Sequence, residues 1–199
     1  MTYVNCLIST VVMHMSKWVT GNRFLGEDET KNNAVLVHNY LSKSGFSLNA
    51  ISAIIANMEA ESTVNPSIWE GLQPYIGGYG LVQWTPYEKY ADWAGENWQN
   101  NGDKECERIV YEFDNGIQFY PTSEYSISSV SFKSSSEDPE YLASAFMHNY
   151  ERPASYVTEW YRQERARYWY EYLKEKHEVE LEPEKEEKGS SAWLLIHHD

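Results

Sequence analysis

An apolar stripe between residues 51 and 58 constrains the fold of this chain more than any other feature. Its members are Ile51, Ile54, Ile55 and Met58, which recur at the spacing of one face of an α-helix. Ser47 or Asn49 can cap the start of this helix, and Asn65-Pro66 stops it. The spacing therefore predicts a helix that buries this face against the rest of a domain.

Further helical patterns surround this stripe. A first helix is predicted from Glu29 to Ser44-Gly45, after the acidic start at residues 26–30, and forms a helical hairpin with the second. Apolar residues also recur at helical spacing at residues 87–97, 103–119, 139–150 and 157–174. Between them, Ser123 to Ser136 is a serine-rich connection. These patterns predict a mainly α domain.

The segment from Ser67 to Trp84 has a different composition. Tyr and Trp alternate there with Gly71, Pro74, Gly77, Gly78 and Gly80. Such a mixture is typical of loops and tight turns. We therefore expect a small glycine-rich β-hairpin or loop region after the second helix, and the predicted fold class is mainly α with this α+β element.

The two ends of the chain differ from its central part. Residues 1–24 are predicted to form a weakly ordered leader, residues 25–175 the folded domain, and residues 176–199 an acidic linker and tail. The apolar run at residues 4–13 is too short to span a bilayer, and no small-residue cleavage site follows it. We therefore predict no signal peptide and no membrane partner.

The charge balance restricts the partners further. The sequence holds 30 Asp and Glu against 16 Lys and Arg, which gives a formal net charge of −14. Nucleic acids and anionic lipids both select for clustered Lys and Arg. No nucleic-acid partner is therefore expected. The aromatic content of 15% supplies rings that serve protein cores and carbohydrate-binding surfaces alike.

The candidate for acid chemistry is a carboxyl group at the end of the second helix. Glu61 follows Met58 by three residues and Ile54 by seven, which places it on the side of the apolar stripe. Partial burial favours the neutral form of a carboxyl group, and a general acid must carry a proton. Glu59 follows Ile55 by four residues, so helical geometry alone leaves both carboxyls open.

Other catalytic chemistries lack their usual patterns in this sequence. The six histidines are scattered without the spacing of a zinc site, at His14, His38, His148, His177, His197 and His198. There is no Gly-x-Ser-x-Gly segment, no phosphate-binding loop and no dinucleotide fingerprint. We therefore predict no metal and no cofactor.

Several separated motifs resemble the lysozyme domain of phage tail proteins. They are Glu61-Ser62-Thr63-x-Asn65-Pro66, Trp69, the segment from Gly78 to Pro86, Tyr150-Glu151-Arg152-Pro153, and the segment from Arg165 to Tyr170. The resemblance runs from about Asn22 to Leu173 and extends to the tail-knob peptidoglycan-degrading proteins of short-tailed phages of Gram-positive bacteria. A wider similarity joins it to goose-type lysozymes and soluble lytic transglycosylases, which share the Glu-Ser pair and a Gly-Leu-x-Gln segment.

This resemblance implies a lysozyme-like fold and a muramidase that cleaves the β-1,4 bond between N-acetylmuramic acid and N-acetylglucosamine. It assigns the acid to Glu61 rather than to Glu59. Substrate-binding roles are implied for Ser62, Trp69, Tyr79, Gly80, Gln83, Trp84 and Tyr150. For Trp69 and Trp84, packing in the core is an equal alternative. The implied setting is a phage virion, in which the protein assists passage of the genome through the host wall. The implied partners are the glycan strands of peptidoglycan and other tail proteins of the phage.

A two-carboxylate glycosidase also needs a nucleophile or base on the opposite side of the sugar. No Asp lies between Glu61 and Asp92, and Glu70 is the candidate for this second carboxylate. Three mechanisms stay open, namely inversion through an activated water, assistance by the N-acetyl group, and transglycosylation by a sugar hydroxyl. A catalytically inactive glycan-binding or structural tail module is the alternative outside the enzymes. Arg152 is expected to fix its turn by hydrogen bonds.

Overall fold

Seven α-helices organise the part of the chain that the structure describes. The structure is a computed structural model, and it describes residues 17–181, with side chains up to residue 176. The helices are α1 (Glu27–Lys43), α2 (Leu48–Ser62), α3 (Glu88–Ala94), α4 (Gly102–Asp114), α5 (Ser129–Lys133), α6 (Pro139–Phe146) and α7 (Glu159–Leu181). A 3₁₀ turn spans Glu70–Leu72, and a π-helical turn, Met147–Glu151, continues α6. The predicted mainly α fold is confirmed.

Helix α2 is the centre of the domain. Ser47 caps it, because its Oγ accepts a hydrogen bond from the Ala50 amide at 3.1 Å. All four residues of the apolar stripe are completely buried, as are the alanines between them. The helix contacts α1, α6 and α7, so apolar neighbours surround it. It ends at Ser62, and Thr63 follows in the left-handed region with a φ of 54°.

The end of α4 was predicted wrongly, and the predicted serine-rich connection contains a helix. Helix α4 ends at Asp114 instead of Phe119, because Gly116 and Gln118 adopt φ values of 61° and 68°, which a right-handed helix excludes. Phe119 is nevertheless buried, so the apolar pattern continued past the end of the helix. The serine-rich connection contains the short helix α5, whose Phe132 is completely buried.

The last helix, α7, is longer than predicted. It begins at Glu159 and reaches Leu181, beyond the predicted end at Lys174. One face packs on α2 and α6, with Ala166, Trp169 and Leu173 buried. Within residues 17–181, no helix is both long enough and apolar enough to cross a membrane.

The predicted β-hairpin region is a loop with isolated β-bridges. Tyr79 forms antiparallel bridges with Trp69 and with Trp84, and no longer strand joins them in the described residues. Left-handed backbone at Leu72 and Tyr75, with φ values of 60° and 64°, prevents a regular ladder from forming there. The loop therefore folds across itself and brings its aromatic side chains together.

Residues 17–24 lie against the helical hairpin. Asn33 on α1 bonds both backbone polar groups of Val19, at 2.9 Å and 2.8 Å. Asn65 donates to the carbonyls of Gly21 and Arg23 at 2.8 Å and 2.7 Å. The rest of the predicted leader and most of the predicted tail lie outside the described residues, and the division into leader, domain and tail stays a prediction.

Candidate active site

Glu61 lies in the last turn of α2 and lines a cleft of about 670 Å³. Its side chain is 24% exposed. Arg162 of α7, which is only 4% exposed, donates from Nη2 to Glu61 Oε1 and from Nη1 to Asn57 Oδ1 at 2.8 Å. The guanidinium therefore anchors one oxygen of the carboxylate at the cleft surface.

Glu59 occupies a different environment on the same helix. Residues two apart on a helix lie roughly 200° apart around its axis, so they cannot face the same side. Glu59 Oε2 accepts from Arg165 Nε at 2.8 Å and from Trp169 Nε1 at 2.7 Å. It does not line the cleft. Both carboxyls that the sequence left open thus pair with an arginine of α7, but only Glu61 also lines the cleft.

The cleft brings together most of the predicted site residues. Its lining includes Glu61, Trp69, Glu70, Gln83, Trp84 and Tyr150. One side is helical and consists of the end of α2, the π-helical turn and the segment after it. The other side is the glycine-rich loop. The predicted roles of these residues in substrate binding and catalysis stay predictions.

Ser62, Tyr79 and Gly80 lie behind the cleft wall instead of in its lining. Ser62 Oγ lies 2.9 Å from the Met58 carbonyl and 2.8 Å from the Leu81 carbonyl, so it joins α2 to the loop. The Tyr79 hydroxyl accepts from the Asn100 amide at 2.9 Å. Their positions favour a role in supporting the wall over direct contact with substrate.

A buried carboxyl group explains why Gly80 has no side chain. Gly80 has a φ of +80°, and a Cβ there would lie 2.4 Å from Glu105 Oε2. The Leu81 amide donates to the same oxygen at 2.7 Å, whereas Glu105 Oε1 is buried without a hydrogen-bond partner. Burial raises the pKa of Glu105 well above its usual range. The Gly80-Leu81 turn therefore rests on a carboxyl group that favours its protonated form.

Gln83 uses its amide nitrogen to brace the loop. Its Nε2 donates to the carbonyls of Ile68 at 3.1 Å and Gly80 at 2.9 Å. The residue has a left-handed backbone with a φ of 51° and stays partly exposed in the cleft. The amide therefore connects the two ends of the loop that carry Trp69 and Trp84.

Tyr150 and Trp84 direct their polar atoms to Glu112, a residue that sequence analysis missed. Glu112 on α4 accepts from the Tyr150 hydroxyl, from Trp84 Nε1 at 3.2 Å and from Arg108 Nε at 2.8 Å. Burial, followed by the charge of Glu112, raises the pKa of Tyr150 well above its usual range. The Arg108 and Glu112 spacing of four residues on a helix was the available signal.

Glu151 is the second carboxyl on the helical side of the cleft. It ends the π-helical turn, and its Oε1 is shielded from solvent without a hydrogen-bond partner. Burial and then the charge of Glu61 raise its pKa well above the usual range, although Arg162 acts in the opposite direction. In the sequence, Glu151 stands out only as a member of the motif at residues 150–153.

Arg152 fixes the turn after Glu151, as predicted. Its Nη1 donates to the carbonyls of Gln118 and Asn149, both at 2.6 Å.

Glu70, the predicted second carboxylate, lines the opposite wall and is exposed. Its Oε2 accepts from the Gly78 amide at 2.8 Å, so part of its hydrogen-bonding capacity serves the loop.

Comparison with known proteins assigns the chain to a family. The family model for phage tail lysozyme matches residues 32–173, which include α2, the loop and most of α7. Morphogenesis protein 1 of Bacillus phage B103 is 36% identical over 156 residues, which cover 76% of this chain and 42% of that protein. The chain thus spans less than half the length of this curated relative. It belongs to the phage tail lysozyme family.

Proposed function

We propose that the chain is a muramidase that cleaves the β-1,4 bond between N-acetylmuramic acid and N-acetylglucosamine in peptidoglycan. The observation that carries this proposal is the position of Glu61, which lines the cleft with one oxygen anchored by the buried Arg162. Family membership supports the substrate class, because a lysozyme acts on the glycan of the bacterial wall.

The cleft has the chemistry that a glycan needs. Sugar rings present apolar faces that pack on aromatic side chains, and Trp69 and Trp84 form part of the loop wall. Polar groups such as the Gln83 side chain offer partners for sugar hydroxyls in the same cleft. This combination supports binding of a glycan strand across the face of Glu61.

Glu61 acts as the general acid in this proposal. Its proton passes to the glycosidic oxygen, the bond from that oxygen to C1 breaks, and positive charge develops at C1. The carboxylate left on Glu61 is stabilised by the Arg162 guanidinium, which already contacts Oε1. Water then adds to C1 and releases one proton, which completes hydrolysis.

A lytic transglycosylase is the second candidate, and the state of the other carboxyls favours it. Glu70 is hydrogen-bonded to the loop. The raised pKa of Glu151 favours its neutral form, and a neutral carboxyl group cannot act as the base that activates a water. In transglycosylation the 6-hydroxyl of the muramyl sugar adds to C1 in place of water and loses its proton. The product then carries a 1,6-anhydro ring.

The biological setting is a phage tail. The relative from phage B103 is named as a morphogenesis protein, which supports a place in the virion alongside other tail proteins. In that position the enzyme would open the host wall as the genome passes through. The net charge of −14 gives no basis for a nucleic-acid partner.

Digestion of purified peptidoglycan by wild type, Glu61→Gln and Glu59→Gln tests the proposal. Loss of a general acid lowers the rate by roughly 10²- to 10⁴-fold, so Glu61→Gln should release almost no fragments. Glu59→Gln makes the same chemical change outside the cleft and should stay close to wild type. An active Glu61→Gln variant would contradict the acid assignment.

Mass analysis of the fragments separates the candidate reactions. Reducing muropeptides identify hydrolysis, and anhydromuramyl ends identify transglycosylation, because the two products differ by one water. If the wild type binds glycan strands and releases no fragments, the chain is a glycan-binding or structural tail module.

A further inference from the structure

Two carboxyl groups on different elements line the helical side of the cleft. Glu61 comes from α2 and Glu151 from the π-helical turn after α6, and both line the cavity. Glu61 has a fixed cationic partner in Arg162, whereas Glu151 Oε1 is shielded from solvent without any hydrogen-bond partner. A carboxyl oxygen in that position is costly to keep charged and has no ion pair to compensate.

We propose that Glu151 is a positioning residue of the acid site, which shares one proton with Glu61 and so keeps the cleft acid-competent above the ordinary carboxyl range. This inference rests on the proposed function, because it concerns how the same acid retains its proton. It also gives Glu151, and not the predicted Glu70, the role of the second carboxyl group in the site.

The charges around Glu151 come from four directions. Glu61 on α2 and Glu112 on α4 are negative, whereas Arg162 on α7 and the adjacent Arg152 are positive. Arg152 directs its Nη1 to two backbone carbonyls, and Glu112 is held by Arg108, Trp84 and Tyr150. The exposed Glu70 and Lys89 lie on the loop side of the cavity, where solvent screens them.

Desolvation and the two nearby carboxylates outweigh the two cations, so the pKa of Glu151 is raised. Arg162 contacts Glu61 directly, so in this proposal the shared proton rests on Glu151 before substrate binds. Loss of this proton would leave two negative charges in the same partly desolvated cleft. We therefore treat the two carboxyl groups as one pair that holds a single proton.

In the proposed reaction, the carboxyl pair donates one proton and regains one proton. The proton of Glu151 passes to Glu61, directly or through one water, and from Glu61 to the glycosidic oxygen as the bond to C1 breaks. The nucleophile that adds to C1, whether water or the muramyl 6-hydroxyl, releases one proton. That proton restores the protonated pair, so Glu151 acts through Glu61 and requires no contact with the broken bond.

The first test is the pH profile of Glu151→Gln, which keeps the shape of the protonated side chain and removes its titration. We expect activity near wild type at about pH 5, close to the ordinary carboxyl range, and a decline on the alkaline side that begins at lower pH. Each unit of this displacement lowers activity at neutral pH about tenfold. Glu59→Gln is the matched control and should keep the wild-type profile.

Two outcomes overturn the inference. An unchanged pH profile in Glu151→Gln would show that the residue does not hold the shared proton. A loss of activity that is equal at every pH would indicate a purely structural role, because removal of a titrating partner acts mainly above the ordinary carboxyl range.

A second measurement does not depend on activity. In protein labelled with ¹³C at the glutamate carboxyls, the NMR titration of wild type should contain a Glu151 resonance with a pKa above the ordinary value of about 4.3. This resonance should disappear in Glu151→Gln. In Glu61→Gln its titration midpoint should move to lower pH, because the charge of Glu61 is gone. The buried Glu105 resonance should persist in both variants and serves as a reference.

The two measurements separate this inference from the proposed function. A wild type that cleaves no peptidoglycan but shows the coupled titration would refute the muramidase and leave the carboxyl pair intact. Cleavage that depends on Glu61, combined with an ordinary titration of Glu151, would refute the pair and leave the muramidase intact.

Discussion

The two walls of the cleft place their functional groups in different ways. We call the side with Glu61, Glu151 and Arg162 the helical wall, and the side with Trp69, Gln83 and Trp84 the loop wall. The helical wall holds charged groups on helical elements, whose interior backbone groups bond one another. In the loop wall, the polar side chains of Gln83 and Glu70 bond the loop backbone instead.

This difference explains why the two walls contribute different groups to the site. A helix supports its own backbone, so its side chains are free to bind each other and a substrate. An irregular loop must satisfy its backbone by other means, and its polar side chains are used for that purpose. The loop wall therefore combines the rings of Trp69 and Trp84 with polar side chains that are partly committed to the loop backbone.

Replacement of Arg162 by Met should be the most destabilising change in the helical wall. It removes the partner of Glu61 and of Asn57, and breaking a buried ion pair costs about 3 kcal/mol. Arg167→Met on the same helix is the control, since Arg167 is 74% exposed beside Glu140 and such pairs contribute below about 1 kcal/mol. Urea denaturation measures both variants, and equal losses would contradict the contrast.

Gly80→Ala should destabilise the loop wall by about 2 kcal/mol. The new Cβ would combine a left-handed backbone with a 2.4 Å approach to the Glu105 carboxyl. Gly116→Ala is the matched control, because its φ is +61° but nothing lies within 4 Å of the added Cβ, so it should lose only about 1 kcal/mol. If thermal unfolding shows the same loss for both, the buried carboxyl does not constrain the turn.

Glu105→Gln should change the pH dependence of stability. The folded state raises the pKa of Glu105, so between the unfolded and folded values the native protein binds more protons and loses stability as pH rises. The variant lacks this loss, and its free energy of unfolding relative to wild type should rise by up to roughly 1.4 kcal/mol per pH unit. Denaturation at pH values from about 4 to 8 measures it, and a constant difference would refute a protonated Glu105.

Trp69→Phe should produce the smallest effect, on glycan binding. Trp69 lines the cleft and is 5% exposed, and the smaller ring loses about 1 kcal/mol of contact, or roughly fivefold in affinity. Trp98→Phe is the control, because Trp98 belongs to the same aromatic cluster with its ring 6.0 Å from Trp69 but does not line the cleft. Calorimetry with peptidoglycan fragments in the Glu61→Gln background measures the affinity. If both variants bind like the parent, Trp69 does not contact the glycan.

Much of the helical part of the fold could be predicted from local pattern. The stripe from Ile51 to Met58 predicted α2, because a helix with a fixed period shows its buried face in the sequence. The boundary of α4 could not be predicted this way. Phe119 is buried after the helix has ended, and apolar periodicity does not distinguish a helical residue from a loop residue that turns back to the core.

The candidate site was less predictable. Glu61 was identified through the resemblance, whereas Glu112 and Glu151 drew no separate attention. Their importance depends on which groups surround them, and those groups come from α2, α4 and α7. Gly80 similarly reads as a turn glycine, and only the packing of Glu105 beneath it shows why a side chain is excluded.

The sequence by itself determined the mainly α fold, the position of α2 and the motifs that belong to the phage tail lysozyme family. Only the tertiary structure decided that Glu59 and Glu61 both pair with arginines of α7 while Glu61 alone of the two lines the cleft, where Glu151 also lies. The physical reason is that periodicity and capping act over a few neighbouring residues, whereas burial and charge depend on distant segments brought together by folding.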